Sequence, residues 1–289
     1  MRRMGDALAG IHATWEFEHD AVVIRFERGI RTPRLLNALR ERRVPHEALA
    51  SVTLAPGKRG TVVLHAQPRP GADPLMEAAA GQLKDGSDPY RLVLPAERET
   101  LAEYYRDELR TAIAPYQDLG PADGFLVAAP EGPQSFKAYD GKASFDGKGE
   151  IGFRWFWTGA SSEKWKAGDQ TFRVRELSGV EWRSPEVLDG YLRLVRREGH
   201  DTRPVQPDHD PASVVFGLGY GPVHESLPFA ASVLAAIRGA TERVPAVAVR
   251  PRDPAGVAER IRHLGELHQA GLVTDEEFSA KKAELLAEL

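Results

Sequence analysis

The sequence predicts a protein of the α+β class, mainly β, with two bent antiparallel sheets or barrels, each closed by a C-terminal helix, and a helical hairpin after them. The first observation behind this is an internal repeat, because a similar run of strand, turn and strand begins at Val44 and again at Phe172. The second is a period-two alternation of apolar residues in both copies, and the third is a helical stripe after each set of strands. Three pairs match between the copies: Leu49 with Leu177, Val52 with Val180, and Leu54 with Trp182.

Alternation of apolar and polar residues predicts the first strands of each repeat. The first repeat opens with a hairpin that turns at His19 and Asp20. Its buried face carries Trp15, Phe17, Val22, Ile24 and Phe26. The second repeat has a longer alternating strand with Ile151, Phe153, Trp155 and Trp157. Later in each repeat an Asp-Pro pair, beginning at Asp88 or at Asp210, precedes a short apolar strand.

One amphipathic helix is predicted to end each repeat. Apolar residues recur at spacings of three and four between Glu99 and Ala114, and the same spacing occurs in the second repeat. The stripes contain Leu101, Tyr105, Leu109, Ala112 and Ile113 in one helix and Phe229, Val233, Ala236 and Ile237 in the other. A helix of this kind buries its stripe best over the open end of a curved sheet. We therefore expect Leu109 and Val233 to occupy equivalent positions.

Composition limits the class of protein and its chemistry. A chain of 289 residues with 42% hydrophobic residues is long enough for two domains with sizeable cores. The net charge of −4 carries no global signature of nucleic-acid binding, and the lack of cysteine excludes disulfides, thiol catalysis and thiolate metal sites. No apolar signal core is present, and no run approaches the roughly 20 apolar residues of a spanning helix. These features favour a cytoplasmic location.

Proline and glycine divide the chain into five predicted segments. The two repeats are joined by an irregular connection, and a proline-rich linker separates the second repeat from the C-terminal hairpin. The segments are repeat 1 at 9–116, a linker at 117–133, repeat 2 at 134–239, a linker at 240–254 and the hairpin at 255–289.

The C-terminal segment has the pattern of two short helices. Gly271 stands where a left-handed C-cap is expected, and Thr274 with Glu277 forms a capping box that begins the second helix. A hairpin of this size buries too little apolar surface to be stable alone, so its apolar side chains must dock on another surface. We expect an oligomer interface formed by Leu264, Leu267, Leu272, Phe278 and Leu285.

Both parts of the chain resemble known modules. The run from Ile261 to Leu286, with its Gly-Leu-Val-Thr step at 271–274, resembles the SHOCT module of bacterial proteins. The duplicated part, including 44–54, Gly71 to Pro74, 143–147 and 177–182, resembles an uncharacterised actinobacterial family with two pleckstrin-homology-like repeats and a SHOCT tail. The resemblance implies two pleckstrin-homology-like folds and a tail that mediates oligomerisation or contacts with membranes or partners. That family has no established activity, so the resemblance implies fold and modularity only.

A group of six arginines is the strongest local charge in the sequence. Guanidinium groups bind phosphate through planar, paired hydrogen bonds, so the group could bind anionic lipid, a nucleotide or nucleic acid. The alternative interpretation is the solvated face of a short helix suggested by Leu35, Leu36 and Leu39. The six are Arg28, Arg31, Arg34, Arg40, Arg42 and Arg43.

Three other features of the sequence each have a functional and an ordinary structural interpretation. His200 and Asp201 with 208–210 could bind a divalent metal, but loop His and Asp residues usually form turns. The glycine run at 217–222 lacks the spacing of a phosphate-binding loop and fits a strand-to-helix turn. The aromatic and basic group of Trp155, Trp157 and Trp165 could stack bases or lie at a membrane interface, although core packing is favoured by the alternation.

These observations favour a non-enzymatic cytoplasmic scaffold. We expect a homo-oligomer that self-assembles through its repeats and its tail, binds a protein partner and needs no metal or cofactor. The alternative is a peripheral adaptor that binds an anionic membrane surface or nucleic acid through the arginine group at 28–43.

Removal of the tail should lower the oligomeric state. A chain that ends after Arg252, and the full-length variant Phe278→Asp, should both lose assembly, because the first lacks the apolar stripe and the second places an unpaired charge in it. Light scattering at matched protein concentrations measures the mass. If both variants keep the mass of the full-length protein, the tail is not the assembly element.

Overall fold

The computed structural model describes residues 7–197 and 205–243. All strand pairs in these residues are antiparallel, and strands outnumber helices. Each repeat forms one lobe, and we call residues 7–116 the first lobe and residues 134–243 the second lobe. Residues up to Ala240 belong to one compact unit. The predicted mainly β, α+β class is confirmed.

The first lobe contains two sheets and three α-helices. Its elements are β1 Ala7–Ala9, β2 Ala13–Phe17, β3 Ala21–Phe26, α1 Arg34–Leu39, β4 Glu41–Pro45, β5 Leu49–Pro56, β6 Thr61–Pro68, α2 Pro74–Ala79, β7 Arg91–Pro95 and α3 Glu99–Ile113. Strands β1 to β4 form one sheet in sequence order, and β5 to β7 form the other.

The second lobe repeats this order without a described equivalent of α2. Its elements are β8 Gln134–Lys137, β9 Gly141–Phe145, β10 Glu150–Trp155, α4 Ser162–Ala167, β11 Gln170–Arg173, β12 Leu177–Arg183, β13 Tyr191–Arg196, β14 Ser213–Val215 and α5 Val223–Arg243. Strands β8 to β11 form a four-stranded sheet, and β12 to β14 form a three-stranded sheet.

Shared irregularities confirm that the two lobes are copies of one unit. The ladder between β5 and β6 shifts register between Leu49 and Ser51, and the ladder between β12 and β13 shifts between Leu177 and Gly179. This bulge aligns the two strands residue by residue and confirms the three matched pairs. The Asp-Pro steps also match, because the side chains of Asp88 and Asp210 each accept a hydrogen bond from the backbone N–H two residues later, at 2.9 and 2.8 Å.

The sheets of the described lobes bend toward each other but form no closed barrel. In the first lobe one isolated bridge joins Ile11, after β1, to Val93 of β7. In the second lobe the Tyr139 N–H donates to the Val215 carbonyl at 2.9 Å. The barrel alternative is therefore wrong. Strand β1 of the first lobe and strand β14 of the second lobe are only three residues long. The two sheets of each lobe therefore meet at one corner and not along a full ladder of hydrogen bonds.

Most residues of the predicted helical stripes are buried, but Ala112 and Ala236 are half-buried and Leu101 is exposed. In α3 the buried side chains include Tyr105, Leu109 and Ile113, whereas Leu101 is exposed and Ala102 is buried in its place. In α5 the side chains of Phe229, Val233 and Ile237 are buried. Leu109 and Val233 thus lie in the cores of their own lobes, and their equivalence stays a prediction.

Helix α5 is longer than the sequence indicated. We expected the second repeat to end at Gly239, but the helix runs to Arg243. A glycine inside a helix costs about 1 kcal/mol relative to alanine. That cost is tolerated because Ile237, Ala236 and Ala240 around Gly239 pack against the core of the second lobe. The rest of the predicted linker at 244–254 and the hairpin at 255–289 lie outside the described residues.

Helix α2 joins the two lobes. Its residues Leu75, Ala78 and Ala79 are buried in the core of the second lobe. Just after the helix, the Gln82 side chain donates to the Trp182 carbonyl at 3.0 Å and accepts from the Ser184 N–H at 2.9 Å. The side-chain amide of Gln82 therefore makes one donated and one accepted hydrogen bond with the backbone at the end of β12, as the backbone of a neighbouring strand does. The core and these hydrogen bonds make the two repeats one folded body.

The connection at 117–133 has no helix or strand, as predicted, but it is held against the first lobe. The buried guanidinium of Arg69 donates to the carbonyls of Gly120 and Pro121, at 2.8 and 3.2 Å, and Nη1 donates to Glu47 O at 2.9 Å. Val127 is buried in the core of the first lobe. The connection is thus part of the first lobe's structure.

A charge at the α2 interface should destabilise the folded protein. Ala79 is 0% exposed, so Ala79→Asp should lower the free energy of unfolding by about 3 kcal/mol or more. The matched control is Ala80→Asp at the next position, which is exposed and has a left-handed backbone that aspartate tolerates, and it should change stability by less than about 1 kcal/mol. Urea unfolding followed by tryptophan fluorescence measures both. Equal stabilities would contradict the role of α2.

Candidate functional site

A cleft with a volume of about 730 Å³ lies between the two lobes. The first lobe contributes residues at the start of α1 and Ser87. The second lobe contributes the β12–β13 turn at 185–190, the glycine loop at 217–221 and the beginning of α5. Because the walls come from both repeats, neither repeat alone contains this cleft. We call it the inter-lobe cleft.

The glycine loop at 217–221 forms one wall of the inter-lobe cleft. It connects β14 to α5, which confirms the prediction of a strand-to-helix turn. Gly221 has a positive φ of 62°, and a Cβ there would lie 2.2 Å from the ring of Phe216. Its N–H donates to the Lys137 carbonyl at 2.7 Å. The loop is therefore fixed against β8, and only glycine fits position 221.

His224 lies at the beginning of α5, between two cavities that it lines. It lines the inter-lobe cleft and also a second cavity of about 480 Å³ near the end of α1. Burial lowers the pKa of His224 below its ordinary value, Glu225 opposes that shift, and the positive charge of Arg34 adds to it. Since the ordinary pKa of histidine is about 6.5, the imidazole is neutral at pH 7. It offers one N–H donor and one ring-nitrogen acceptor at this boundary.

The structure does not keep the six arginines of 28–43 together as one solvent-facing group. Arg28 and Arg31 lie exposed in the loop before α1, Arg34 begins that helix, and Arg40 follows it with a positive φ of 61°. Arg43 is exposed but binds the carboxylates of Glu18 and Asp20. Those two carboxylates already occupy its guanidinium. Anion binding by the exposed members stays a prediction.

Arg42 departs from the expectation of a solvated cation, because its side chain is 4% exposed. It forms an ion pair with Asp73 at 2.7 Å. Asp73 also accepts from the Tyr90 hydroxyl at 2.7 Å and from the Leu75 N–H at 2.9 Å, which caps α2. Arg42, Asp73 and Tyr90 thus form a buried polar network that anchors α2 to the first lobe.

The pKa values in this network follow from burial and charge. Burial acts to lower the pKa of Arg42, but Asp73 and Tyr90 outweigh it and hold the pKa above its ordinary value. Burial raises the pKa of Tyr90 well above its usual range, and the charge of Asp73 acts in the same direction. Arg42 is therefore charged and Tyr90 is a neutral hydroxyl donor at physiological pH. Both states suit a structural network.

A second buried ion pair lies in the second lobe. Lys164 of α4 is 0% exposed, and its ammonium group lies 2.5 Å from a carboxylate oxygen of Asp140. Burial raises the pKa of Asp140 and lowers the pKa of Lys164, although each partner's charge opposes that shift. The other oxygen of Asp140 accepts from the Val215 N–H at 2.9 Å. The pair ties α4, the β8–β9 turn and β14 together.

The tryptophan group is split between the core and the surface. Trp155 is buried, as the alternation predicted, and its indole N–H donates to the Gly168 carbonyl at 2.7 Å. Strand β10 ends at Trp155, so the prediction that Trp157 continues its buried face is wrong. Trp157 is 78% exposed and its ring meets the ring of Trp165 edge to face, at a centroid distance of 5.3 Å. The interpretation as a surface aromatic group applies to Trp157 and Trp165.

The His and Asp residues near 200–210 are only partly described. His200 and Asp201 lie outside the described residues, as do the tail residues Leu264, Leu267, Leu272, Phe278 and Leu285. Asp210 binds Arg193 at 3.0 Å, and His209 binds Glu163 at 2.9 Å. That hydrogen bond lowers the pKa of Glu163 to about 2 and raises the pKa of His209. Within the described ranges no group of His, Asp and Glu has the arrangement of a metal site.

Sequence reasoning missed α2 and the buried partners of Arg42 and Lys164. One signal for α2 was present, because Asp73 followed by Pro74 has the residue types of an N-cap and first helical position. No local signal marks Lys164 as buried. Its position in a short polar helix is typical of an exposed lysine, and only the tertiary contact with Asp140 makes burial possible.

Loss of Asp73 should unfold the protein more easily. Asp73→Ala leaves the Arg42 charge buried and unpaired, so we expect a loss of about 3–5 kcal/mol in the free energy of unfolding. The double variant Arg42→Met/Asp73→Asn removes both charges and keeps a cap for α2, and it should lose less. The control Asp85→Ala breaks an exposed pair with Arg91 and should cost about 0–1 kcal/mol. Urea unfolding measures the free energy of unfolding of the three variants. Similar losses of stability in all three would contradict the structural role of the Arg42–Asp73 network.

No helix in the described part of the chain is long and apolar enough to cross a membrane. A search of curated proteins found no match to the chain. The model of a family described as a domain of unknown function, DUF4429, matches residues 15–110 and again 143–234, and the model of the short C-terminal domain, SHOCT, matches residues 259–286. The two DUF4429 matches coincide with the two lobes, and the third confirms the predicted SHOCT tail. The chain therefore belongs to the DUF4429 family, with two copies of that domain and a C-terminal SHOCT domain.

Proposed function

We propose that the protein is a non-enzymatic scaffold that holds a segment of a protein partner in the inter-lobe cleft. The observation that carries this proposal is the position of the cleft, whose walls belong to both repeats of one folded body. A single repeat would offer only half of such a surface. A fused pair of repeats locked together by α2 is therefore suited to binding between its lobes.

The side chains at the edge of the cleft favour a peptide segment as the ligand. Val187 and Leu188 in the β12–β13 turn line the cleft, and Leu188 is 82% exposed. Pockets for small molecules place their apolar lining inside, whereas protein interfaces present apolar side chains on the surface, where a partner covers them. We infer a partner segment with aliphatic side chains that cover this turn.

The ionisable groups support a binding role over a catalytic one. The buried ion pairs, Arg42 with Asp73 and Lys164 with Asp140, connect structural elements, and none of these four residues lines the inter-lobe cleft. In the cleft His224 is neutral, and the carboxylate of the adjacent Glu225 lies 3.8 Å from its Nε2, beyond hydrogen-bond distance. A general base needs a group that orients it toward a reacting atom. We infer that His224 acts as a wall and a hydrogen-bonding group.

We also infer a pleckstrin-homology-like fold for each lobe. The support is the element order, with four antiparallel strands, then three, then one C-terminal helix that packs on the sheets. The SHOCT tail fits the same scaffold role, since assembly through its apolar stripe would bring several clefts together and raise the avidity for a repetitive partner. The absence of cysteine from the chain suits a reducing cytoplasm as the place of action.

Substitution at the edge of the cleft should weaken peptide binding. Peptides selected from a phage-displayed random library on the full-length protein should bind it and lose at least about tenfold in affinity for Leu188→Asp, because the charge cannot be covered by an aliphatic side chain. The matched control is Leu119→Asp, an exposed leucine in the connection between the lobes. Fluorescence anisotropy measures the affinities. Peptides that bind Leu188→Asp as tightly as the unaltered protein would refute the proposed site.

A further inference from the structure

A further surface lies at one end of the second lobe, beside the inter-lobe cleft, with which it shares Leu218 and Tyr220. We call it the aromatic surface and define it by Tyr139, Trp157, Trp165, Leu218 and Tyr220. All five side chains are exposed, Trp157 by 78% and Leu218 by 102%. Large apolar side chains that lie together on a surface mark a site of interaction with a partner or a membrane. Tyr139, Trp157 and Trp165 do not line the inter-lobe cleft, so these three rings distinguish the aromatic surface from it.

Three loops bring these residues together. The Phe156 N–H, next to Trp157, donates to the Asp140 carbonyl at 2.9 Å. A Cβ on Gly159 would lie 2.2 Å from the Tyr139 carbonyl oxygen, so this loop lies directly against the β8–β9 turn. The glycine loop lies on the other side of that turn, where the rings of Tyr139 and Tyr220 are 6.2 Å apart. The five side chains therefore belong to one end of the lobe.

Buried contacts of Lys164 hold the aromatic surface in place. Lys164 lies next to Trp165 in α4, and its buried ion pair with Asp140 joins that helix to the residue beside Tyr139. The ammonium of Lys164 also lies 5.0 Å from the centre of the buried Trp155 ring. Rings that are already fixed lose little conformational freedom on binding, so the surface is preorganised.

A row of three cations borders the aromatic surface. Lys137 of β8 is the register partner of Lys142 in β9, and Lys142 is the register partner of Arg154 in β10. All three are exposed, and Arg154 has only a loose pair with Asp169, at 3.9 Å between exposed groups. Like charges directly opposite each other across strands repel. A negatively charged surface placed against the row would relieve that repulsion.

We propose that this end of the second lobe docks on the interface of a bilayer that contains anionic lipids. Tryptophan and tyrosine favour the headgroup region, where the ring lies in an apolar layer and the polar atom meets water. The exposed Leu218 reaches into the acyl boundary, and the row of Lys137, Lys142 and Arg154 meets the negative headgroups. Leu218 favours a bilayer over single-stranded nucleic acid, since an aliphatic side chain offers no stacking face for a base.

Vesicle binding by the full-length protein tests the proposal. The protein should co-sediment with vesicles of phosphatidylcholine and phosphatidylglycerol, more weakly with phosphatidylcholine alone, and less at high salt. The variant Trp157→Ala/Leu218→Ser should lower the partition coefficient by about tenfold or more, because two side chains no longer enter the interface. Lys142→Glu/Arg154→Glu should remove the preference for the anionic lipid. The tryptophan emission of the unaltered protein should shift to the blue with vesicles.

The controls separate this surface from other parts of the chain. Tyr104→Ala removes an exposed aromatic ring from α3 of the first lobe and should leave vesicle binding unchanged. Far-ultraviolet circular dichroism confirms that each variant is folded. Unchanged binding by Trp157→Ala/Leu218→Ser overturns the proposal, as does a lack of binding to anionic vesicles. Binding to an oligothymidylate and not to vesicles identifies a nucleic-acid surface and overturns it as well.

Discussion

The buried ion pair of Arg42 with Asp73 is the interaction on which the arrangement of the two lobes depends. Asp73 caps α2, accepts from Tyr90 and neutralises Arg42, so one carboxylate fixes the helix that enters the core of the second lobe. A buried pair adds little net stability over apolar packing, but each partner enforces the position of the other. Its role is geometric. It sets where the second lobe packs and therefore the width of the cleft between them.

The sequence was informative where a pattern is local and repeated. The period of two in Trp15 and Phe17, the Asp-Pro step at Asp88 and the apolar stripe of α3 each depend on neighbouring residues, and each has a counterpart in the second repeat. The candidate sites could not be predicted from local patterns, because they depend on contacts between residues far apart in the sequence. Arg42 and Arg43 look alike in sequence, yet one is buried against Asp73, thirty-one residues later, and the other is exposed. Trp157 continues an alternation, but its strand has already ended.

The two repeats share a fold but differ in what they present. The α2 insertion gives the first lobe the means to hold its neighbour, and most of its arginines near 40–43 are paired with acidic residues of the same lobe. The second lobe places exposed aromatic rings and the row of Lys137, Lys142 and Arg154 on its surface. The two copies thus differ in the contacts that they make, although the first lobe also exposes Tyr104, Arg28 and Arg31.

The binding of the connecting segment by Arg69 bears on how the chain avoids misfolding. Tandem copies of one domain are prone to exchange strands with each other or with a second chain while they fold, because each copy offers similar partners. Arg69 holds the backbone at Gly120 and Pro121 against the first lobe, so only a short stretch separates that anchor from β8. The second copy is then confined near its own first lobe and cannot easily reach a neighbouring molecule. Exchange of strands between molecules is thereby disfavoured relative to pairing within one chain.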